Sequence, residues 1–489
     1  MNTYQNIKPE AVYSGSSVWS NAEKIAFRFA FLFFVLLVVP LDWKWYERLF
    51  SAESLYNVLS AFAGYRASFV EVATESGRWG LAAYASWGVA LLIALLGTAI
   101  WTILARNSKR QDYNALYYWL RVIVRYRIAI GLIAFGYLKF FPMQMPFPSI
   151  ANLNTDFGDY APFKLYWQAV GVSLPYQIFL GFLEIGAGAL LLFRGTAALG
   201  AIINAGVLFN IAHANLAYDG AVHVYSSYFV LLSLFILAQY IPNIWRLFIK
   251  GQAVKPSYYY PVLDTKLRKN LYYGLKTVFV FSFLILLGYF QYDVRYNKGS
   301  LKEPVVPGLP GAAGHYTVSS FVLNGDTVQY SPHDSLRWHD AVFERYSTFV
   351  YKVNKNINIA LGNGTPSIGD ILKDYELTGR AGGKTYLYYE IDTATQKLYL
   401  VDKNQKFSGD LRKLLNEENR IGLKELYGTE KGDSINILSW NYDRPNKDRV
   451  VLRGKDFRKD SITVVLDRLD ETYFTGKEWY VKNNKFTYQ

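Results

Sequence analysis

Residues 175–217 read PYQIFLGFLEIGAGALLLFRGTAALGAIINAGVLFNIAHANLA. Two apolar runs, 175–193 and 197–217, are parted only by Arg194, Gly195 and Thr196. About 20 helical residues cross the ~30 Å of hydrocarbon in a bilayer, and each run is of that length. The stretch therefore predicts two membrane helices joined by a tight basic turn. It sets the fold class for everything around it.

Working outward, five more apolar stretches of comparable length occur, near 25–41, 80–104, 116–140, 222–241 and 271–290. Pro40 ends the first. Lys24 and Arg28 stand at its start, and no small-residue cleavage site follows before Asp42, so an uncleaved anchor is expected. The chain has 489 residues, 51% hydrophobic and 17% aromatic, with a formal net charge of +13. That charge is unevenly placed. Residues 1–290 hold 23 Lys and Arg against 13 Asp and Glu, whereas residues 291–489 hold 29 against 26. A basic excess confined to the apolar part belongs to the loops of a membrane protein, not to a nucleic-acid surface. The absence of cysteine excludes disulfides, thiolate metal sites and cysteine nucleophiles. Intrinsic disorder and a wholly soluble fold are excluded as well.

The loops orient the bundle. Alternate connections carry Arg106, Lys109 and Arg110, then Arg194, then Arg246, Lys250, Lys255, Lys266, Arg268 and Lys269. The others are balanced or acidic. Residues 42–79 set Lys44, Arg48, Arg66 and Arg78 against Asp42, Glu47, Glu53, Glu71 and Glu75, and residues 141–174 set Lys164 against Asp156 and Asp159. Basic loops stay cytoplasmic, so the N-terminus is expected inside. Seven crossings then put residues 291–489 outside, in the periplasm of a protein of the bacterial inner membrane.

Charged groups inside hydrocarbon are costly and mark function or pairing. The third helix holds Arg121, Arg125, Arg127 and Lys139, the fourth Glu184, and the fifth Asn204, Asn210 and His213. Counting residues from the inner helix ends puts Arg125, Glu184 and Asn204 at one level, about 12–13 Å in. An Arg125–Glu184 ion pair is the expectation. Arg121 shares a helix face with Arg125. For Arg121, Arg127 and Lys139 the plain alternative is snorkelling toward headgroups, and for Asn204 and Asn210 it is gluing helices together. His213 and His223 flank a turn too tight for a haem between them; a hydrogen-bonding or proton-handling role is expected of His213.

Helix three reads RYRIAIGLIAFGYLKF, with Arg127, Gly131, Gly136 and Lys139 in order. Helix four reads GFLEIGAGALLLFRGTAALGAI, with Gly181, Glu184, Gly188, Arg194 and Gly200. Together they resemble the DoxX-like family of four-helix membrane proteins, over roughly 116–241. YNALYYWLRVIVRY, PFPS, FGDYAP and YDGAVH are similar to the longer DoxX-like proteins of Bacteroidota. The resemblance implies a membrane redox setting, with a quinone as candidate cofactor and a redox subunit as candidate partner; a periplasmic protein is the candidate partner of the outer domain. Carried over, it points to Arg127, Lys139, Glu184 and Arg194. No flavin or nicotinamide motif accompanies them.

Residues 297–316, around KGSLKEPVVPGLPGAAG, read as a linker. Beyond it, alternating segments such as YTVSSFVL, TVQYS, RYSTFVYKV, INIAL, KTYLYYEI, KLYLVD, SINILSW, RVVLRG, ITVVLDRL and EWYVKN predict strands. KTYLYYEIDTATQKLYLVD reads as a hairpin, while 409–426 and the stretch 334–345 read as helical. A small antiparallel barrel or sandwich is expected, with Tyr386, Tyr388, Tyr389 and Tyr399 filling it and its faces, or a barrel holding a lipid or quinone. His333 and His339 beside Asp334 and Asp340 match no metal-ligand spacing, and no metal site is expected.

The expected organisation is thus a two-helix region with an outer loop at 1–115, a four-helix core at 116–241, a cytoplasmic loop and last helix at 242–296, the linker, and a β-rich domain at 317–489. Two functions fit. One is a quinone-linked redox subunit or accessory of a membrane oxidoreductase, using Glu184, Arg125 and His213 as catalytic groups and Arg121, Arg127, Lys139, Asn204 and Asn210 to hold the quinone. The other is a non-enzymatic membrane scaffold whose periplasmic β-domain binds a partner or a lipophilic ligand. Its setting is the lipid bilayer, with no nucleic acid.

Overall fold

The computed structural model describes residues 18–70, 81–254, 258–261, 263–356, 360–416, 421–471, 480–482 and 485–487. The chain forms two compact units, one of residues 1–137 and 180–290, the other of residues 138–179 and 291–489.

The first unit is helical. Ser20 and Glu23 form a reciprocal cap that starts α1, Asn21–Val38. The stretch expected as an outer loop contains α2, Trp43–Phe50, and α3, Leu55–Ala63. Leu59 on α3 is buried with Ile130, Phe283 and Leu287, so this region is part of the bundle's packing and not a loose connection. Then come α4, Ala85–Leu104, and α5, Asn114–Phe140, the helix with the four basic residues. Two short helices of the second unit, α6 (Ile150–Leu153) and α7 (Pro162–Gly171), precede α8, Leu174–Leu191. The unit continues with α9, Ala197–Ala217, α10, His223–Ala238, α11, Ile241–Phe248, and α12, Lys266–Val280, which runs through a π-helical stretch into α13, Leu287–Asp293.

Among the described residues, four helices are long and apolar enough to span a membrane, or six if each of two bent helix pairs is one span. The seven crossings expected from the sequence are not reached by that measure. α5, with Arg121, Arg125, Arg127 and Lys139, is the expected span that does not qualify.

Glycines bring α5 and α8 to backbone contact. A Cβ on Gly188 would stand 2.9 Å from the Ala129 carbonyl oxygen, and one on Gly136 2.9 Å from that of Gly181. Small residues at such crossings allow the close van der Waals packing that replaces the hydrophobic effect inside a membrane.

The second unit is built on a closed antiparallel barrel. Its strands are β1 (Gly314–Leu323), the two-residue β2 (Asp326–Thr327), β3 (Asp340–Phe343), β4 (Thr348–Lys352), β5 (Lys384–Asp392), β6 (Lys397–Asp402), β7 (Leu438–Asn446), β8 (Arg449–Lys455) and β9 (Ser461–Arg468). β1 pairs with β3 on one side and β9 on the other, which closes eight strands. A register shift between Val318 and Ser320 marks a bulge that helps bend β1 around the closure. The expected hairpin is β5–β6, with Leu387 opposite Asp402 and Asp392 opposite Lys397.

An eight-stranded barrel has an interior that side chains can just fill, and here they fill it. Tyr316, Phe343, Phe349, Leu387, Tyr389, Leu398, Leu400, Trp440, Leu452 and Val464 pack inward. Gly454 lies opposite Trp440 and leaves room for its indole; a Cβ there would come 2.2 Å from the ring. A cavity of about 70 Å³ opens among Trp338, Tyr351 and Asp456. Side chains thus occupy the described core, the space in which a lipid or quinone was expected.

Other parts of the chain coat the outside of this barrel. Ala151 on α6 packs with Val342, Val350, Leu377 and Tyr386. Tyr388 and Tyr399 lie under α14 (Gly409–Leu415), α15 (Leu423–Leu426) and α16 (Glu430–Ser434) in a second outer cluster. Three further readings change. The stretch 334–345 yields β3 instead of a helix. The expected linker is bound, with Leu301, Leu309 and Ala312 buried and Pro307 bridged to Tyr346. TVQYS contributes only Thr327 to a strand, and INIAL falls partly outside the described residues. A final hairpin, β10 (Tyr480–Lys482) with β11 (Lys485–Thr487), forms a separate two-stranded sheet.

Candidate functional site

Among the described residues, the polar groups expected within the bundle divide into structural ties, exposed groups and a buried acid. Arg127, 5% exposed, donates from Nη1 to Ala63 O at 3.1 Å and from Nη2 to the Tyr225 hydroxyl at 3.0 Å and to Tyr65 O. It closes the C-terminal end of α3 and does not snorkel. Arg121 donates to Gln239 and, at 3.3 Å, to Ile236 O, satisfying the last turn of α10. Asn204 is fully buried and donates to Ser233 Oγ at 2.5 Å and Phe229 O at 3.3 Å, which ties α9 to α10. That is the gluing role.

Asn210 and His213 lie on the exposed face of α9. They do not join Glu184 and Arg125 in one cluster. His223, by contrast, is buried, with its Nδ1 3.1 Å from the Tyr84 hydroxyl. Lys139, near the end of α5, is buried.

Glu184 is 3% exposed on α8. The two glycine contacts fix its level: Gly188 sits at Ala129 and Ile133, and Gly181 at Gly136. Counting along the helices offsets Glu184 from Arg125 by about 12–16 Å. The equal depth inferred from sequence assumed that the helices end at one level, and their crossing register differs. Arg125, 8% exposed, has its guanidinium 5.6 Å from the Tyr126 ring instead. A further buried arginine is Arg28, whose Nε lies 3.1 Å from the Tyr113 hydroxyl and Nη1 2.9 Å from Thr102 Oγ1. Its signal in the sequence is a lone arginine inside the first apolar run.

The second unit contains a cleft of about 1030 Å³. It is lined by α6 and the residues before it, by Arg295 to Val305, by the start of β1, by Glu344 to Tyr346, and by Lys447, Asp448 and 468–471. Acids and bases alternate around it: Glu303, Asp448, Asp470 and Glu471 with Arg295, Arg345, Lys447 and Arg468. Some of these are already engaged. Arg295 pairs with Glu303, and Arg468 donates to the Tyr316 hydroxyl at 3.0 Å and to Gly311 O. Arg345, Lys447 and Asp448 are exposed.

Two titratable groups in the cleft are tuned. His315 Nδ1 lies 2.9 Å from Glu471, and its Nε2 3.8 Å from Asp340. Burial lowers the imidazole pKa, but the bonds to Asp340 and Glu471 outweigh that and leave it raised. Glu344, 2% exposed, accepts from Ile150 N at 2.9 Å and Ala151 N at 2.8 Å. Burial and then the neighbouring Glu376 push its carboxyl up to about 7, against those hydrogen bonds.

At the other end of α6, Lys384 donates to Ala151 O at 2.9 Å and Asn154 O at 2.5 Å. Burial and then Arg380 lower its pKa to about 8. An acid at the helix start and a base at its end complement the helix dipole, so a helix of four residues is held in place on the barrel wall. Lys164 is fully buried as well, donating to Tyr375 O with its Nζ 3.5 Å from the Tyr375 ring centre, and burial holds its pKa well down. None of these groups stood out in the sequence, because a lysine or glutamate in a loop or alternating strand reads as solvated. Among the described residues, no group of three or more His, Asp or Glu converges as metal ligands do.

No protein-family model matches the chain, and no solved structure matches it. The chain is similar to the uncharacterized protein YwoB of Bacillus subtilis (strain 168), 39% identical over 75 residues, which is 15% of this chain. Those residues span 49% of that relative's length. The relative's name carries no activity, and the DoxX-like resemblance stands on the quoted motifs alone.

Proposed function

We infer that the chain is an inner-membrane protein, N-terminus cytoplasmic, whose helical bundle anchors a periplasmic β-barrel unit. In this reading the cleft of the barrel unit receives a charged, partly apolar segment of a partner protein. The cleft carries the reading: about 1030 Å³ of open space with both signs of charge at its edge, beside a barrel interior that is filled. A cavity of that size suits a peptide-like ligand, and mixed charge favours specific register over bulk attraction. The test is site-specific photo-crosslinking in intact cells from Arg345 and Lys447, with the exposed Arg453 on β8 as control. Crosslinks to one discrete species from the first two positions and none from the third support the reading. Equal labelling from all three positions would remove it.

Glu184 supports a second reading, that of a quinone-linked redox subunit receiving electrons from a partner. A carboxylate 3% exposed on an apolar helix of the bundle is costly there and by default marks pairing or function. Solvent extraction of protein purified in mild detergent would then yield a stoichiometric quinone, lost in Glu184→Gln. Quinone-free preparations with no quinol-dependent electron flow would count against it.

A further inference from the structure

Four cations meet at the end of the bundle where α8 and α10 stop, and among the described residues no acid lines the cavity there. Arg121, Arg125 and Arg194 line one small cavity together with Tyr118, Tyr240 and Tyr258 to Tyr260, and none of the lining residues is Asp or Glu. Lys276 on α12 is close enough to interact electrostatically with both Arg125 and Arg194. Like charges gathered this way repel one another, and elsewhere in the bundle the buried arginines Arg28 and Arg127 each have their own acceptors. Arg125 is 8% exposed and lines the cavity, with its guanidinium 5.6 Å from the Tyr126 ring and its buried Nε without a hydrogen-bond partner. The Nε atoms of Arg121 and Arg127 are likewise without one, while the Nη atoms of Arg121 donate to Gln239 and Ile236 O. Arg194 is exposed, its guanidinium 4.7 Å from the Tyr260 ring centre, and its charge is available at the rim.

We propose that this cluster is a binding site for a phosphate group. Guanidinium forks match phosphate oxygens in pairs, and tyrosine hydroxyls supply further donors. The cavity measures about 30 Å³, so it seats the oxyanion and leaves the rest of the ligand outside. An anionic phospholipid headgroup and soluble phosphate share this chemistry, and basic pockets between membrane helices are known to hold such headgroups.

The test uses full-length protein, delipidated in neutral detergent and followed by native mass spectrometry and thermal unfolding. Phosphatidylglycerol, phosphatidylcholine and inorganic phosphate are added separately. A lipid site is shown by retention of phosphatidylglycerol over phosphatidylcholine, weakened about tenfold in Arg194→Gln and more in Arg125→Gln/Arg194→Gln. The exposed control Arg106→Gln should leave it unchanged. A soluble-phosphate site is shown by stabilisation with inorganic phosphate alone, lost in the same variants. Because Arg194 is exposed, its single variant folds even if loss of Arg125 disturbs packing. Equal retention of both lipids with no effect of phosphate, or wild-type binding in Arg194→Gln, would overturn the proposal.

Discussion

Arg127 and Glu344 are both buried, yet they answer different questions about the two units. Arg127 serves three acceptors at once, two of them carbonyls at the end of α3. Removing it strands the Tyr65 carbonyl and leaves Ala63 O with the Tyr225 hydroxyl at 3.3 Å, which costs on the order of 2 kcal/mol. Arg127→Leu should therefore lower the unfolding temperature in detergent by several degrees, and Arg127→Lys should recover only part, since a lysine cannot fork. An unchanged unfolding temperature in Arg127→Leu would mean that the side chain faces lipid. Glu344 gives a pH signature. Its folded pKa is about 7 against an ordinary 4.5. The group therefore favours the folded state fully below about 4.5, and that contribution is lost as pH rises through about 7. The swing is on the order of 3 kcal/mol. Denaturation at pH 4.5 and pH 8 should show wild type losing stability relative to Glu344→Gln across that interval. Parallel profiles would place the carboxyl's pKa near its ordinary range. Nothing in the residues around position 344 announces this, because both the burial that raises it and the added push of Glu376, 32 positions away, arise only through the fold.

At the scale of elements, the signals that were legible were those written in one segment. Alternation in KTYLYYEI and KLYLVD gives β5 and β6, and the apolar runs give α4, α8, α9 and α10. Elements set by partners were not legible. β3 is only four residues long and depends on pairing with β1 and β4. The helices α2 and α3 hid in a stretch whose balanced charges read as an outer loop, and α6 is held by Glu344 and Lys384 rather than by its own propensity. The candidate site was read least well, because depth counted along single helices ignores their crossing register. The tie between α9 and α10 is testable. Asn204→Leu removes the bonds to Ser233 and Phe229 and should cost about 1 kcal/mol in detergent unfolding. A loss of several kcal/mol would point to a larger polar network around Asn204.

For the whole molecule, charge asymmetry between the two halves was the most informative quantity in the sequence, since it separates an apolar, basic-looped part from a charge-balanced one. It carries the topology proposed here, and the absence of native cysteine makes that topology easy to probe. Single cysteines placed at Lys250, in a basic connection, and at Arg345, at the rim of the cleft, report on which side each lies. Right-side-out membrane vesicles treated with a membrane-impermeant maleimide should label Arg345→Cys and spare Lys250→Cys until detergent is added. Labelling of Lys250→Cys with protection of Arg345→Cys would contradict the account, for it would put the cleft on the cytoplasmic side.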